Sequence, residues 1–173
     1  GVPVVMVRTY GAFSRQPLYN CLRKRKVQVT ADMKCVLSAE DVAVKSADEI
    51  NEIINKEFDF DNFKWQQENK ISITDAERAE GLNRVLYKCQ HCMTESKMVG
   101  KGTTLTCEQC GKQYELTEYG YLQATDGDGK FEHVPDWYRW ERECVRKEIE
   151  DGTYRLEVPV DICLMVNMKS IYR

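Results

Sequence analysis

The first apolar run of the chain predicts a β-strand. Residues 2–8 are almost continuously apolar, a pattern typical of a strand that is buried in a parallel sheet. Residues 27–33 alternate apolar and polar side chains, which predicts a half-exposed strand that residues 35–37 extend. Because a buried strand needs a neighbour to pair with, we expect the sequence to be a piece of a longer protein.

Residues 46–58 carry the pattern of an amphipathic helix. Ser46 and Glu49 have the spacing of a capping box, in which the two side chains satisfy free backbone N–H groups at the start of a helix. Behind them, apolar residues recur at i, i+3, i+4 and i+8. This spacing places four residues on one helical face: Ile50, Ile53, Ile54 and Phe58.

A second helix is predicted over residues 135–150. Pro135 lies in its first turn and Gly152 lies past its end. The apolar stripe of this helix would consist of Trp137, Trp140, Cys144 and Ile149. A solvated face with salt bridges would carry the charged residues Glu141, Arg142, Glu143, Arg146, Lys147, Glu148 and Glu150. Two strands, at residues 154–158 and 160–168, are predicted to follow.

Two pairs of cysteines carry the clearest chemical signal. Cys89 and Cys92 form one C-x2-C pair, Cys107 and Cys110 form another, and 14 residues separate the two pairs. This spacing predicts two knuckles that hold one Zn2+ tetrahedrally, and four thiolates leave no open position, so the zinc would be structural. Iron sites use the same ligand type, but the spacing favours zinc. His91, inside the first knuckle, is expected to be exposed.

Together these elements predict an α+β fold with short, mostly antiparallel sheets, two main helices and an inserted zinc ribbon. We expect residues 1–85 to form the strand–loop–strand–helix part of a scaffold and residues 86–118 to form the ribbon. Residues 119–173 would then complete the scaffold with a helix and strands. The strands of the ribbon are predicted at about residues 86–88, 96–99, 103–106 and 112–116.

Charge and composition narrow the possible functions. The chain has 25 Lys and Arg against 28 Asp and Glu, and residues 86–118 contain four lysines and four glutamates. Nucleic-acid binding needs an excess of basic residues, so it is disfavoured. No apolar run has the length of a membrane-spanning helix, and C-x2-C pairs favour a reducing compartment, the cytoplasm. The sequence has two histidines, His91 and His133, and no catalytic motif, so this chain alone is not expected to be an enzyme.

The opening residues also resemble a known family. Val2-Pro3-Val4-Val5-Met6-Val7, with the segments 8–13 and 16–20 behind it, resembles the last motif of the bacterial 1-acylglycerol-3-phosphate acyltransferases. In that family a V-P-V-V-P-V strand follows the E-G-T-R substrate-binding motif, and Met6 stands here in place of the second proline. A subgroup of the family continues with a long extension that has stretches like residues 65–69, 85–89, 100–107 and 135–138.

The resemblance implies a non-catalytic role for this chain. The catalytic His-x4-Asp and the E-G-T-R arginine of the family lie upstream of the matching strand and have no counterpart here, so no catalytic residue is carried over. The chain would be the zinc-ribbon extension of a phospholipid-biosynthesis acyltransferase, and the N-terminal part of that enzyme would transfer an acyl group to 1-acylglycerol 3-phosphate. The alternative is a stand-alone zinc-ribbon module that binds a protein partner, with nucleic acid as a less favoured ligand.

Partners and location follow from the same resemblance. The chain would bind its own catalytic domain or another protein at the cytosolic face of the membrane. The basic run Arg23, Lys24, Arg25 and Lys26 would contact anionic lipid or phosphate, where each cation near the surface adds about 1 kcal/mol. The alternative for these four residues is a solvated strand end.

Overall fold

The computed structural model describes residues 1–157 and 159–161, and this part has the predicted α+β architecture. Its strands form one two-stranded and one four-stranded sheet, both antiparallel. In chain order the elements are β1 (Val4–Tyr10), α1 (Ala12–Arg15), β2 (Thr30–Leu37), α2 (Ala39–Val44), α3 (Ala47–Phe58), α4 (Asn62–Glu68), β3 (Met98–Lys101), β4 (Thr104–Cys107), β5 (Gln113–Leu116), β6 (Leu122–Ala124) and α5 (Val134–Glu150).

β1 pairs with β2 in an antiparallel ribbon, so the prediction of a buried, parallel strand for residues 2–8 is wrong. Burial alternates along β1, and Val5 and Val7 lie on a face that Met33 of β2 shares, with 50%, 61% and 76% of these residues exposed. α3 packs against β2, and the Glu57 carboxylate at the end of α3 binds Lys34 and Arg8. A continuous apolar run therefore marks a strand correctly here but does not show how many neighbours the strand has.

Capping boxes begin two consecutive helices. Ser46 and Glu49 exchange the predicted hydrogen bonds at the start of α3. Ser38 and Asp41 do the same at the start of α2, a helix that was not predicted. The apolar face predicted for α3 is only half-buried, and Phe58 at its end is 70% exposed. The short helices α1 and α4 were also not predicted.

The second sheet has the strand order β3-β4-β5-β6. Its edge at β3 is covered by the turn at residues 79–82, because the Gly81 N–H donates to the Gly100 carbonyl and the Ala79 N–H donates to the Gly102 carbonyl. This cover satisfies backbone groups that an edge strand would otherwise expose. The predicted ribbon strands match β3, β4 and β5 within two residues. Residues 86–88 contribute one isolated bridge, between Lys88 and Glu95.

α5 confirms the helix predicted over residues 135–150, but its burial differs from the prediction. Trp137 and Glu141, one turn apart, are both fully buried, so the placement of Glu141 on a solvated face is wrong. The first C-terminal strand was predicted at residues 154–158. Residues 153–157 have no regular secondary structure, so the prediction is wrong over residues 154–157. Residue 158 and most of the second predicted strand lie outside the described residues.

The described residues divide into two compact units, Gly1–Arg142 and a second unit that begins at Glu143. The main core of the first unit gathers Tyr19, the Leu82 turn, the inner face of β3–β6 and the start of α5 around Trp137. Two of the paired cysteines, Cys89 and Cys107, belong to this core and are fully buried. The predicted three-part division at residues 85 and 118 stays a prediction.

Candidate metal centre

Each cysteine pair lies in a tight turn, and the two turns have the same backbone pattern. In the first turn the Met93 N–H donates to the Cys89 carbonyl, and in the second the Gly111 N–H donates to the Cys107 carbonyl. Met93 and Gly111 both adopt the left-handed conformation, with φ of 66° and 75°. Two equivalent knuckles therefore present the four cysteines, as the spacing predicted.

The four thiols converge on one point. All four Sγ atoms lie within 4.8 Å of one another. The Sγ atoms of Cys89 and Cys110 are 3.8 Å apart, and those of Cys92 and Cys107 are 3.7 Å apart. Sulfurs placed tetrahedrally around an ion at about 2.3 Å are separated by about 3.8 Å, so this spacing suits a four-thiolate metal site. All four cysteines are free of disulfides.

The thiols differ in acidity because their surroundings differ. Burial raises the pKa of the Cys89 thiol to about 12, and burial also raises the pKa of Cys110. A hydrogen bond with Thr94 is the main reason that the pKa of Cys92 falls to about 6. Since a metal binds the thiolate form, binding at neutral pH releases protons from Cys89 and Cys110, whereas Cys92 is already largely ionised.

α5 supports the first knuckle through the backbone of Lys88, the residue before Cys89. The Trp137 indole N–H donates to the Lys88 carbonyl at 2.9 Å, and the Lys88 N–H donates to Glu141 Oε1 at 2.8 Å. Glu141 Oε2 is buried with no hydrogen-bond partner among the described residues. This support was not predicted from the sequence, because no local pattern links Glu141 to a residue 53 positions earlier.

The second knuckle is anchored by the sheet. Cys107 is the last residue of β4 and pairs with Met98 of β3. Tyr114 of β5 packs edge-on against Trp137, with ring centroids 4.9 Å apart. Both knuckles therefore extend from one packed core, in which Cys89 and Cys107 are fully buried.

The other candidates from the sequence lie apart from this centre. His91 is exposed, as predicted, and the cluster of possible ligands in the described part of the chain contains the four cysteines without it. The basic run does not form one solvated face. Arg23 pairs with Asp75 and Glu77, Arg25 is 6% exposed, and Lys24 and Lys26 are exposed.

His133 makes contacts that hold two helices together. Its Nε2 lies 2.7 Å from Asp61, and its Nδ1 accepts a hydrogen bond from Gln67 at 3.4 Å. Asp61 also caps α4 by accepting from the Lys64 N–H. Burial works against ionisation of Asp61, but the hydrogen bonds from Lys64 and His133 hold the pKa of this carboxyl below its usual range. Both ring nitrogens are thus engaged in positioning α4 beside the start of α5.

Comparison with protein families, curated proteins and solved structures finds no match to this chain. Within the described residues, no helix combines the length and the apolar character that crossing a membrane requires. The functional argument therefore depends on the geometry of the site itself.

Proposed function

We propose that the four cysteines bind one structural Zn2+ and that residues 86–118 form a zinc ribbon within a non-catalytic binding module. The convergence of the four Sγ atoms, with two of their separations close to the tetrahedral value, supports this proposal most directly. Four thiolates complete the coordination of zinc and leave no position for water or substrate. The bound zinc would supply a cross-link between the two knuckles.

Metal analysis of the purified protein tests the identity of the metal. We expect one zinc per chain by elemental mass spectrometry, and no visible absorption of the kind that an iron–thiolate centre gives. Cys110→Ser should lose the metal, whereas Cys35→Ser, a change at an exposed cysteine of β2, should retain it. Iron in stoichiometric amount, or full zinc occupancy in the Cys110 variant, would contradict the proposal.

We further propose that this module is the appended part of a phospholipid-biosynthesis acyltransferase at the cytosolic face of the membrane. The support is the resemblance of residues 2–7 to the last strand motif of that family. The exposed apolar face of the β1–β2 ribbon, with Val5, Val7 and Met33, suits contact with a catalytic domain. The alternative function is a stand-alone zinc-ribbon module that binds a separate protein.

An immunoblot of the native cells, with an antibody raised against this chain, distinguishes the acyltransferase extension from the stand-alone module. The chain itself has a mass of 20.1 kDa. A band of much larger mass in the membrane fraction would support the acyltransferase. A soluble band at the mass of the chain would contradict it and favour the protein-binding module.

A further inference from the structure

We propose that the pocket lined by Lys24, Arg25, Lys26 and Thr74 is a binding site for a phosphate group. This pocket lies outside the metal centre and has a volume of about 340 Å³. Pockets of about 300–1,000 Å³ are typical of small-molecule sites, so it has room for a phosphate and a small substituent. Its remaining lining residues are Ile73 and Asp75.

The main support for a phosphate site is the buried side chain of Arg25. The residue is only 6% exposed, yet none of the ion pairs in the described part of the chain includes it. Its Nη2 donates to the Arg78 carbonyl at 2.9 Å and to the Tyr19 hydroxyl at 3.2 Å, while its Nε is buried with no hydrogen-bond partner among the described residues. A buried guanidinium without a carboxylate is costly, and an anion beside it would offset that cost.

The contacts around Arg25 hold its charge in place. Its guanidinium lies over the Tyr19 ring, 5.5 Å from the centroid. The backbone N–H of Arg25 donates to the Arg15 carbonyl at 2.8 Å. Both the side chain and the backbone are therefore fixed, so the cation is oriented before a ligand arrives.

The two lysines add exposed positive charge at the same pocket. Lys24 and Lys26 are exposed and, like Arg25, take part in none of the ion pairs found among the described residues. Asp75 is the carboxylate of the lining, and it is already engaged by Arg23 at 3.4 Å and by the Glu77 N–H at 2.8 Å. The lining of the pocket therefore includes three basic residues and one carboxylate that has its own partners.

This arrangement favours a phosphate group over a carboxylate. A phosphate has several acceptor oxygens and up to two negative charges, which match one planar guanidinium, two ammonium groups and the Thr74 hydroxyl. Either a free phosphate or the headgroup of a lipid offers this chemistry. The lysines at the rim suit both sources.

The test uses the zinc-loaded full chain and two charge-matched double variants. Lys24→Gln with Lys26→Gln removes the pocket lysines, and Lys56→Gln with Lys101→Gln removes two exposed lysines elsewhere. Binding of inorganic phosphate is followed by calorimetry at low salt. Vesicles of phosphatidylcholine with phosphatidic acid, or with phosphatidylglycerol at matched surface charge, provide the lipid arm of the experiment.

We expect the pocket variant to weaken binding by about tenfold or more and the control variant to match the wild type. Binding to free phosphate identifies a soluble ligand, and binding only to vesicles with phosphatidic acid identifies a lipid headgroup. Equal losses in both double variants, or no binding to either source, would overturn the proposal. Arg25→Lys, checked for an unchanged melting temperature, should also weaken binding because lysine lacks the planar fork.

Discussion

Glu141 is a buried carboxyl whose charge the fold disfavours. Desolvation is the main reason that its pKa rises to about 8. The hydrogen bonds from the Lys88 and Tyr87 N–H groups lower the pKa in part, whereas the nearby charge of Glu95 raises it further. In the unfolded chain the same group titrates near 4.5. The folded protein therefore holds this proton more tightly, and the resulting stability is complete below pH 4.5 and is lost as the pH rises through 8.

Replacing Glu141 with Gln should remove this pH dependence. Between about pH 5.5 and pH 7 the wild type should lose about 1.4 kcal/mol of unfolding free energy per pH unit relative to the Gln variant, because unfolding releases one proton from Glu141 over this range. Denaturant unfolding with saturating zinc at each pH measures the difference. Exposed Glu52 on α3, changed to Gln, is the matched control and should run parallel to the wild type. Parallel curves for both variants would show that Glu141 is already ionised in the folded protein.

At the scale of elements, the close approach of β3 to the turn at residues 79–82 requires a glycine. A Cβ at Gly100 would lie 2.8 Å from the Leu82 nitrogen and still closer to the Ala79 carbonyl oxygen. These are backbone atoms of a hydrogen-bonded turn, which cannot move away cheaply. Glycine is therefore required at position 100 because there is no room for a Cβ atom.

Gly100→Ala should destabilise the protein by about 1–3 kcal/mol, the usual range for overpacking. Gly127 provides the contrast, because its φ is 77° but a Cβ there would meet no atom within 4 Å. Gly127→Ala should lower stability by about 1 kcal/mol through backbone conformation alone. Denaturant unfolding of both variants gives the two values. A larger loss at Gly127 than at Gly100 would contradict this account of the β3 edge.

The elements that the sequence predicts well are those with local signals. The capping box at Ser46 and the two C-x2-C pairs are each recognised from a few consecutive residues. The structure confirms the cap and the convergence of the four cysteines. The same Ser-x-x-acid pattern at Ser38 would have predicted α2. Burial of Glu141 was not predictable in this way, because it depends on Lys88, which is distant in sequence. The pairing of β1 likewise depends on β2 and not on its own apolar residues.

At the scale of the whole molecule, the candidate metal centre is joined to the main core through Cys89 and Cys107. Cys89 and Cys107 pack with Leu82, Tyr114 and Trp137 in one buried cluster. Loss of the metal would remove the cross-link that holds the two knuckles together beside this cluster. Metal binding and folding of the core should therefore be coupled.

Chelation should consequently loosen more than the two knuckles. After complete removal of the metal, we expect hydrogen exchange to speed up together in β3–β6 and at the start of α5, with a lower melting temperature for the chain. The β1–β2 ribbon should change less, because the main core contains no residue of β1 or β2. Cys110→Ser should reproduce the effect, and Cys35→Ser should not. If faster exchange stays confined to residues 89–93 and 107–111, the core keeps its structure without metal. The metal would then stabilise the two knuckles alone, and the predicted coupling would be wrong.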